Sequence, residues 1–158
     1  MTKEKIQVFT YRISQANKTE MMTVLYDMAA EYISDAISSL EKQNLPDFRT
    51  NISRAKDVLR ELKASVNTQT ELGMKFLSLY IFYSEQLTKA YVDYDKAPAE
   101  HVLKMLKILS ETYAEVSKKD NSGAVMGNAE TVYSGLTYNR YMTADSMSDT
   151  SGNRGFLA

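Results

Sequence analysis

Proton transfer near neutral pH needs a side chain such as histidine, and the chain has one, His101, beside Glu100. A lone histidine at the start of a helix, with no nucleophile or second base at a fixed spacing, reads as a solvated surface residue. There is no cysteine, so disulfides and thiol catalysis are excluded. No His and carboxylate set has metal-ligand spacing, and the inward Glu-x-x-His motifs of di-iron bundles do not occur. No glycine-rich phosphate cradle of either common pattern is present. The densest cations, Arg49, Arg54, Lys56, Arg60 and Lys63, carry no interleaved aromatic for base stacking. With Asp57 and Glu61 among them they read as a solubilising helix face. These residues therefore predict no catalytic group, no metal and no cofactor, and so no enzyme.

What stands out instead is apolar surface beyond what one core needs. In the segment Met21–Ile33, the residues Met22, Leu25, Tyr26, Ala29 and Ile33 form one helical stripe, continued by Ala36, Ile37 and Leu40. Met21, Val24, Met28 and Tyr32, spaced by 3, 4 and 4, form a second. The run from Phe76 to Tyr83 is apolar nearly all round, with Leu77 and Ile81 on one flank of its core stripe and Phe82 on the other. A bundle helix touching two neighbours has a wide apolar arc, which accounts for part of this surplus. The rest fits a groove that receives an amphipathic helix, and methionine's flexible thioether suits such a surface. The candidate partner-binding set is Met21, Val24, Met28, Tyr32, Val58, Leu77, Ile81 and Phe82. An open patch of that size invites a cover. A short amphipathic arm bearing Ile6, Phe9, Tyr11 and Ile13 is the expected lid.

The elements that must position these residues are helices. The expected fold is all-α, an antiparallel up-down four-helix bundle with a short N-terminal helical arm and an extended or disordered C-terminal tail. The arm covers residues 1–15, and the helices cover 19–43, 46–67, 70–94 and 98–118. Thr19 is the expected N-cap of the first long helix. Pro46 and Pro98 open two others, where a missing N–H costs little. The remaining core stripes run through Phe48, Ile52, Ala55, Leu59, Leu62 and Val66, then Leu72, Phe76, Leu79, Tyr80, Tyr83, Leu87 and Ala90, then Val102, Leu106, Leu109, Tyr113 and Val116. Connections this short imply antiparallel neighbours. Five of the six glycines follow residue 120, which separates a 1–119 bundle domain from a 120–158 tail rich in Gly, Ser, Thr and Asn. A net charge of −1 gives no global pull toward nucleic acid or anionic membranes. The apolar runs fall well short of the ~18 residues of a membrane span. The N-terminus is too charged for a signal peptide, so a cytoplasmic protein is expected.

The order and spacing of several segments resemble the flagellar secretion chaperone family FliS. Val24-Leu25-Tyr26-Asp27-Met28-Ala29 is similar to the family's "hydrophobic-Leu-Tyr-Asp-Gly-Ala". The segment from Arg54 to Leu62 is similar to its "Ala-x-x-Ile-Ile-x-Glu-Leu". The spacing Phe76, Leu79, Tyr80, Tyr83, Leu87 resembles its "Leu-x-x-Leu-Tyr" helix. Ala90 precedes a short acidic loop, and Leu106, Leu109 and Tyr113 follow, with Tyr113 where the family usually has Trp. The likeness spans about residues 5–118. Ala16-Asn17-Lys18-Thr19-Glu20 replaces the family's Thr-Ala-Ser-Pro, Met28 stands for Gly, and Ile81 and Phe82 stand for Asp and Tyr.

The resemblance implies a chaperone that binds the disordered C-terminal amphipathic region of flagellin. It would prevent cytosolic polymerisation and pass the subunit to the flagellar export apparatus, without enzyme activity, cofactor or ATP. In that reading Leu25, Tyr26 and Asp27 serve mainly the core and the second stripe serves the client, in a monomer or weak homodimer with no membrane and no nucleic acid. Two other readings stay open. One is a self-associating structural bundle that pairs through the surplus stripes. The other is a nucleic-acid-binding module using the cationic face from Arg49 to Lys63.

Overall fold

A computed structural model of the chain describes residues 1–126, and the expected tail from residue 127 onward lies outside the described residues. Five helices follow one another: α1 (Lys3–Gln15), α2 (Lys18–Glu41), α3 (Leu45–Ala64), α4 (Glu71–Asp93) and α5 (Lys96–Ser117). Among the described residues there is no strand, and no helix is long and apolar enough to cross a membrane.

Local chemistry sets the boundaries. The cap of α2 is Asn17, not the expected Thr19. Asn17 accepts from the Glu20 N–H while the Glu20 carboxylate accepts from the Asn17 N–H, a capping box that satisfies two orphan donors. Thr19 is thereby freed to bond elsewhere. α2 ends where Gln43 turns left-handed at φ 57°, and Asn44 caps α3, with Pro46 in its first turn. Thr70 caps α4 by accepting from the Gly73 N–H. A Cβ on Gly73 would stand 1.9 Å from the Asn67 carbonyl oxygen, so glycine is required for this close approach of chain to chain. Tyr94 ends α4 at φ 52°, an unfavourable region for a bulky residue. Its ring is held there against Phe48, with the Arg49 guanidinium 5.0 Å from the ring centre. Asp95 then caps α5 through the Ala97 N–H.

In the bundle, α2 packs on α3 and α5, and α4 packs on the same two helices, so α2 and α4 stand diagonally opposite. The α1 helix packs on the outside of α2. Fully buried side chains come from all four bundle helices, among them Tyr26, Ile33, Phe48, Leu59, Tyr80 and Leu106. Each such burial contributes about 1.5–3 kcal/mol. At one end the rings of Tyr26, Phe76, Tyr80 and Tyr113 form a cluster with centroids 5.4–6.3 Å apart. The Tyr26 and Tyr80 hydroxyls share a hydrogen bond. Burial pushes the Tyr26 phenol far up and that of Tyr80 to about 12, so both stay protonated in any physiological medium. Two expected core residues lie outside the core: Leu72 and Val116 are 64% and 51% exposed, because they fall in the first turn of α4 and the last turn of α5.

Beyond α5 the chain folds back on the α1–α2 junction. The Thr19 hydroxyl donates to the Asp120 carboxylate at 2.5 Å, and the Asn17 side chain donates to the Asp120 carbonyl at 3.3 Å. The Val125 N–H donates to the Ala16 carbonyl at 3.0 Å. Ala16 and Asn17 are both buried in this clasp.

Candidate functional site

The outer face of α2 is built from two kinds of residue. Asp27, Glu31 and Asp35 recur every four residues and so form one row on the helix surface. The α1 arm runs antiparallel along that row. Its terminal ammonium lies 2.5 Å from the Asp35 carboxylate, Lys5 pairs with Glu31, and the Arg12 guanidinium pairs with Asp27 at 2.8 Å. Phe9 is the buried residue of the arm, and the Arg12 guanidinium sits 5.7 Å from its ring centre. Asp27 also accepts a hydrogen bond from the Ser110 hydroxyl of α5. Its carboxylate therefore joins three helices. This corrects the expectation that Asp27 serves mainly the core: Tyr26 is fully buried, while the Asp27 side chain is one-third exposed.

The arm is weakly held by design of its contacts. Its ion pairs with Lys5 and Arg12 lie at the surface, where each is worth about 0–1 kcal/mol and is screened by salt. Its apolar anchors are Phe9 and the Met1 side chain, which is 1% exposed. The expected arm stripe is only partly realised. Phe9 is buried and Ile13 half-buried, but Ile6 and Tyr11 are 45% and 56% exposed. The contact line follows Lys5, Phe9 and Arg12, and it leaves Ile6 at its edge and Tyr11 on the far side.

The eight candidate partner-binding residues do not form one groove. Met21, Met28 and Tyr32 lie together on α2, half-buried, and Met28 and Tyr32 also pack against the core. Val24 in the same stripe, one turn before Asp27 on the arm-facing side of α2, is buried, only 3% exposed. Val58 is likewise buried, on the flank of α3 that turns toward α2. Leu77 and Ile81 stand on the α3 side of α4, and Phe82 on its α5 side, with its ring edge-on to exposed His101 at 6.3 Å. The surplus apolar residues thus divide into three patches set around the bundle.

Sequence reasoning missed the acidic row of α2. The signal was present as carboxylates at i, i+4 and i+8 facing an arm with Lys5 and Arg12. Among the described residues no group of His, Asp or Glu could hold a metal ion. A family model described as flagellar protein FliS matches residues 3–120. No curated protein matches the chain.

Proposed function

The chain belongs to the FliS family of flagellar export chaperones, and on that premise we propose that it binds the disordered C-terminal region of flagellin in the cytoplasm. In this reading the client's amphipathic segments fold onto apolar surface of the bundle, and covering them blocks polymerisation until the export apparatus takes the subunit. The observation that carries the reading, beyond membership, is the outer face of α2. Met21, Met28 and Tyr32 flank an arm that surface ion pairs and two buried side chains, Met1 and Phe9, hold in place. Displacing so light a cover costs a client little and uncovers Val24. Val58 and Phe82 belong to the same proposal as contacts for further client segments, and Leu77 and Ile81, on the α3 side of α4 across the bundle from the arm, are set apart from it as a partner surface of their own.

The test is size-exclusion of the intact chain with and without a flagellin C-terminal fragment. A one-to-one complex is expected, weakened at least tenfold by Met21→Lys, about 1.4 kcal/mol or more. Met21 is the cleaner position because, unlike Met28, it does not lean on the core cluster. No complex with the wild-type chain would end the reading. A stable dimer that persists with the fragment present would favour the self-associating alternative.

A further inference from the structure

The cationic row of α3 and the apolar flank of α4 lie side by side, and client binding at the arm leaves both untouched. Along α4, Met74, Leu77 and Ile81 are spaced by 3 and 4 and share one stripe, with Met74 and Ile81 48% and 44% exposed. Along the neighbouring edge of α3, Lys56, Arg60 and Lys63 are spaced by 4 and 3. The Lys56 ammonium donates to the Thr88 hydroxyl at 2.8 Å and the Lys63 ammonium to the Ser84 hydroxyl at 3.3 Å. Those partners are neutral, so both lysines are oriented across the α3–α4 cleft, and neither forms an ion pair among the described residues. Arg60 pairs with Asp57 at 3.0 Å, and Glu85 is the other carboxylate at the cleft. Because α4 stands diagonally across the bundle from α2, this face is separate from the surface under the arm.

We propose that the α3–α4 face is a second docking surface, one that takes an acidic amphipathic helix from a protein partner other than the client. The antiparallel register of the Lys63–Ser84 and Lys56–Thr88 pairs sets how it lies. The apolar stripe sits toward the N-terminal half of α4 and the lysines toward its C-terminal half. A helix laid along the cleft places two or three apolar residues on Met74, Leu77 and Ile81, and carboxylates one to two turns further along reach Lys56 and Lys63. Exchanging a hydroxyl for a carboxylate gives charge-assisted hydrogen bonds roughly twice as strong as neutral ones. The aliphatic stripe distinguishes this occupant from nucleic acid, which needs cations and stacking aromatics instead.

Fluorescence anisotropy with the full chain tests this. The probes are a designed helical peptide with Leu at i, i+3 and i+7 and Glu on the flank, the same peptide with Lys for Glu, and a DNA duplex. Binding of the Glu peptide is expected, at least tenfold tighter than the Lys peptide. It should weaken at least tenfold in the Lys56→Glu, Lys63→Glu double variant and in Ile81→Ser, with circular dichroism unchanged. Equal binding of the two peptides overturns the proposal. So does DNA binding, lost on the same charge reversal, with no uptake of the Glu peptide. Competition between the Glu peptide and a flagellin C-terminal fragment overturns it as well, because the face would then belong to the client. Retention of that fragment by the double variant keeps the client reading independent of this one.

Discussion

The two faces of α2 are held by opposite physics. The inner face buries Tyr26, Ala29, Ile33 and Ala36 completely between α3 and α5, and its stability scales with apolar area. The outer face meets the arm through a terminal ammonium, Lys5, Arg12 and one buried ring. Its hold scales with charge and screening. A single helix thus carries a contact that fixes the fold and another that can be undone without unfolding anything. Three variants, in descending size, probe that division and the clasp beside it.

Ile33→Ala empties a fully buried site on the inner face and is expected to cost about 2–5 kcal/mol in urea unfolding. Amide exchange in residues 3–15 should rise no more than global unfolding requires. If the arm were the more affected part, the two faces would not be independent.

That inner face was legible in the sequence because a 3.6-residue period reports directly which side is buried. The stripe Tyr26, Ala29, Ile33 and Ala36 came out as read, as did the four bundle helices to within a few residues. The outer face was less legible. Periodicity shows that Val24 and Met28 are apolar, but it does not say whether an arm or a partner covers them. Asp27 was misread because it was grouped with its motif neighbours Leu25 and Tyr26, although the residue after Tyr26 points about 100° away from it on a helix, and its partners, Arg12 and Ser110, lie 15 and 83 residues away. Thr19 was misread as a cap for a similar reason. Asn17 and Glu20 close the capping box locally, and the bond Thr19 makes is to Asp120.

Lys5→Gln with Arg12→Gln removes two of the arm's ion pairs and leaves α2 intact. Together they are expected to loosen the arm by about 1 kcal/mol, roughly fivefold faster exchange in residues 3–15, with little change in Tm. Raising salt should mimic the effect in the wild-type chain and do less in the variant, which keeps only the pair between the terminal ammonium and Asp35. A fall in Tm matching that of Ile33→Ala would show the arm to be part of the core.

The smallest effect is expected at Asp120. Hydrogen bonds from Ser122 and Thr19 hold its carboxyl down to about 2, below its ordinary 3.8. A depressed folded value means that the contribution is complete above pH about 4 and fades as pH falls toward 2. Urea midpoints of the wild type and Asp120→Asn should therefore differ at pH 5 and converge near pH 2. A constant difference would assign the effect to shape and not to charge.

The clasp at Asp120 also has a kinetic meaning. It joins residues 101 and 103 positions apart, across a loop containing the whole bundle. Closing so long a loop becomes favourable only once the helices between are packed, so the clasp belongs to the last steps of folding. Weakening it with Asp120→Asn, which removes the carboxylate's charge but keeps the Asn17 and Val125 bonds, should leave the refolding limb of a chevron unmoved while unfolding becomes slightly faster. The bond sets how long the folded chain lasts, and has no part in how quickly it first arises.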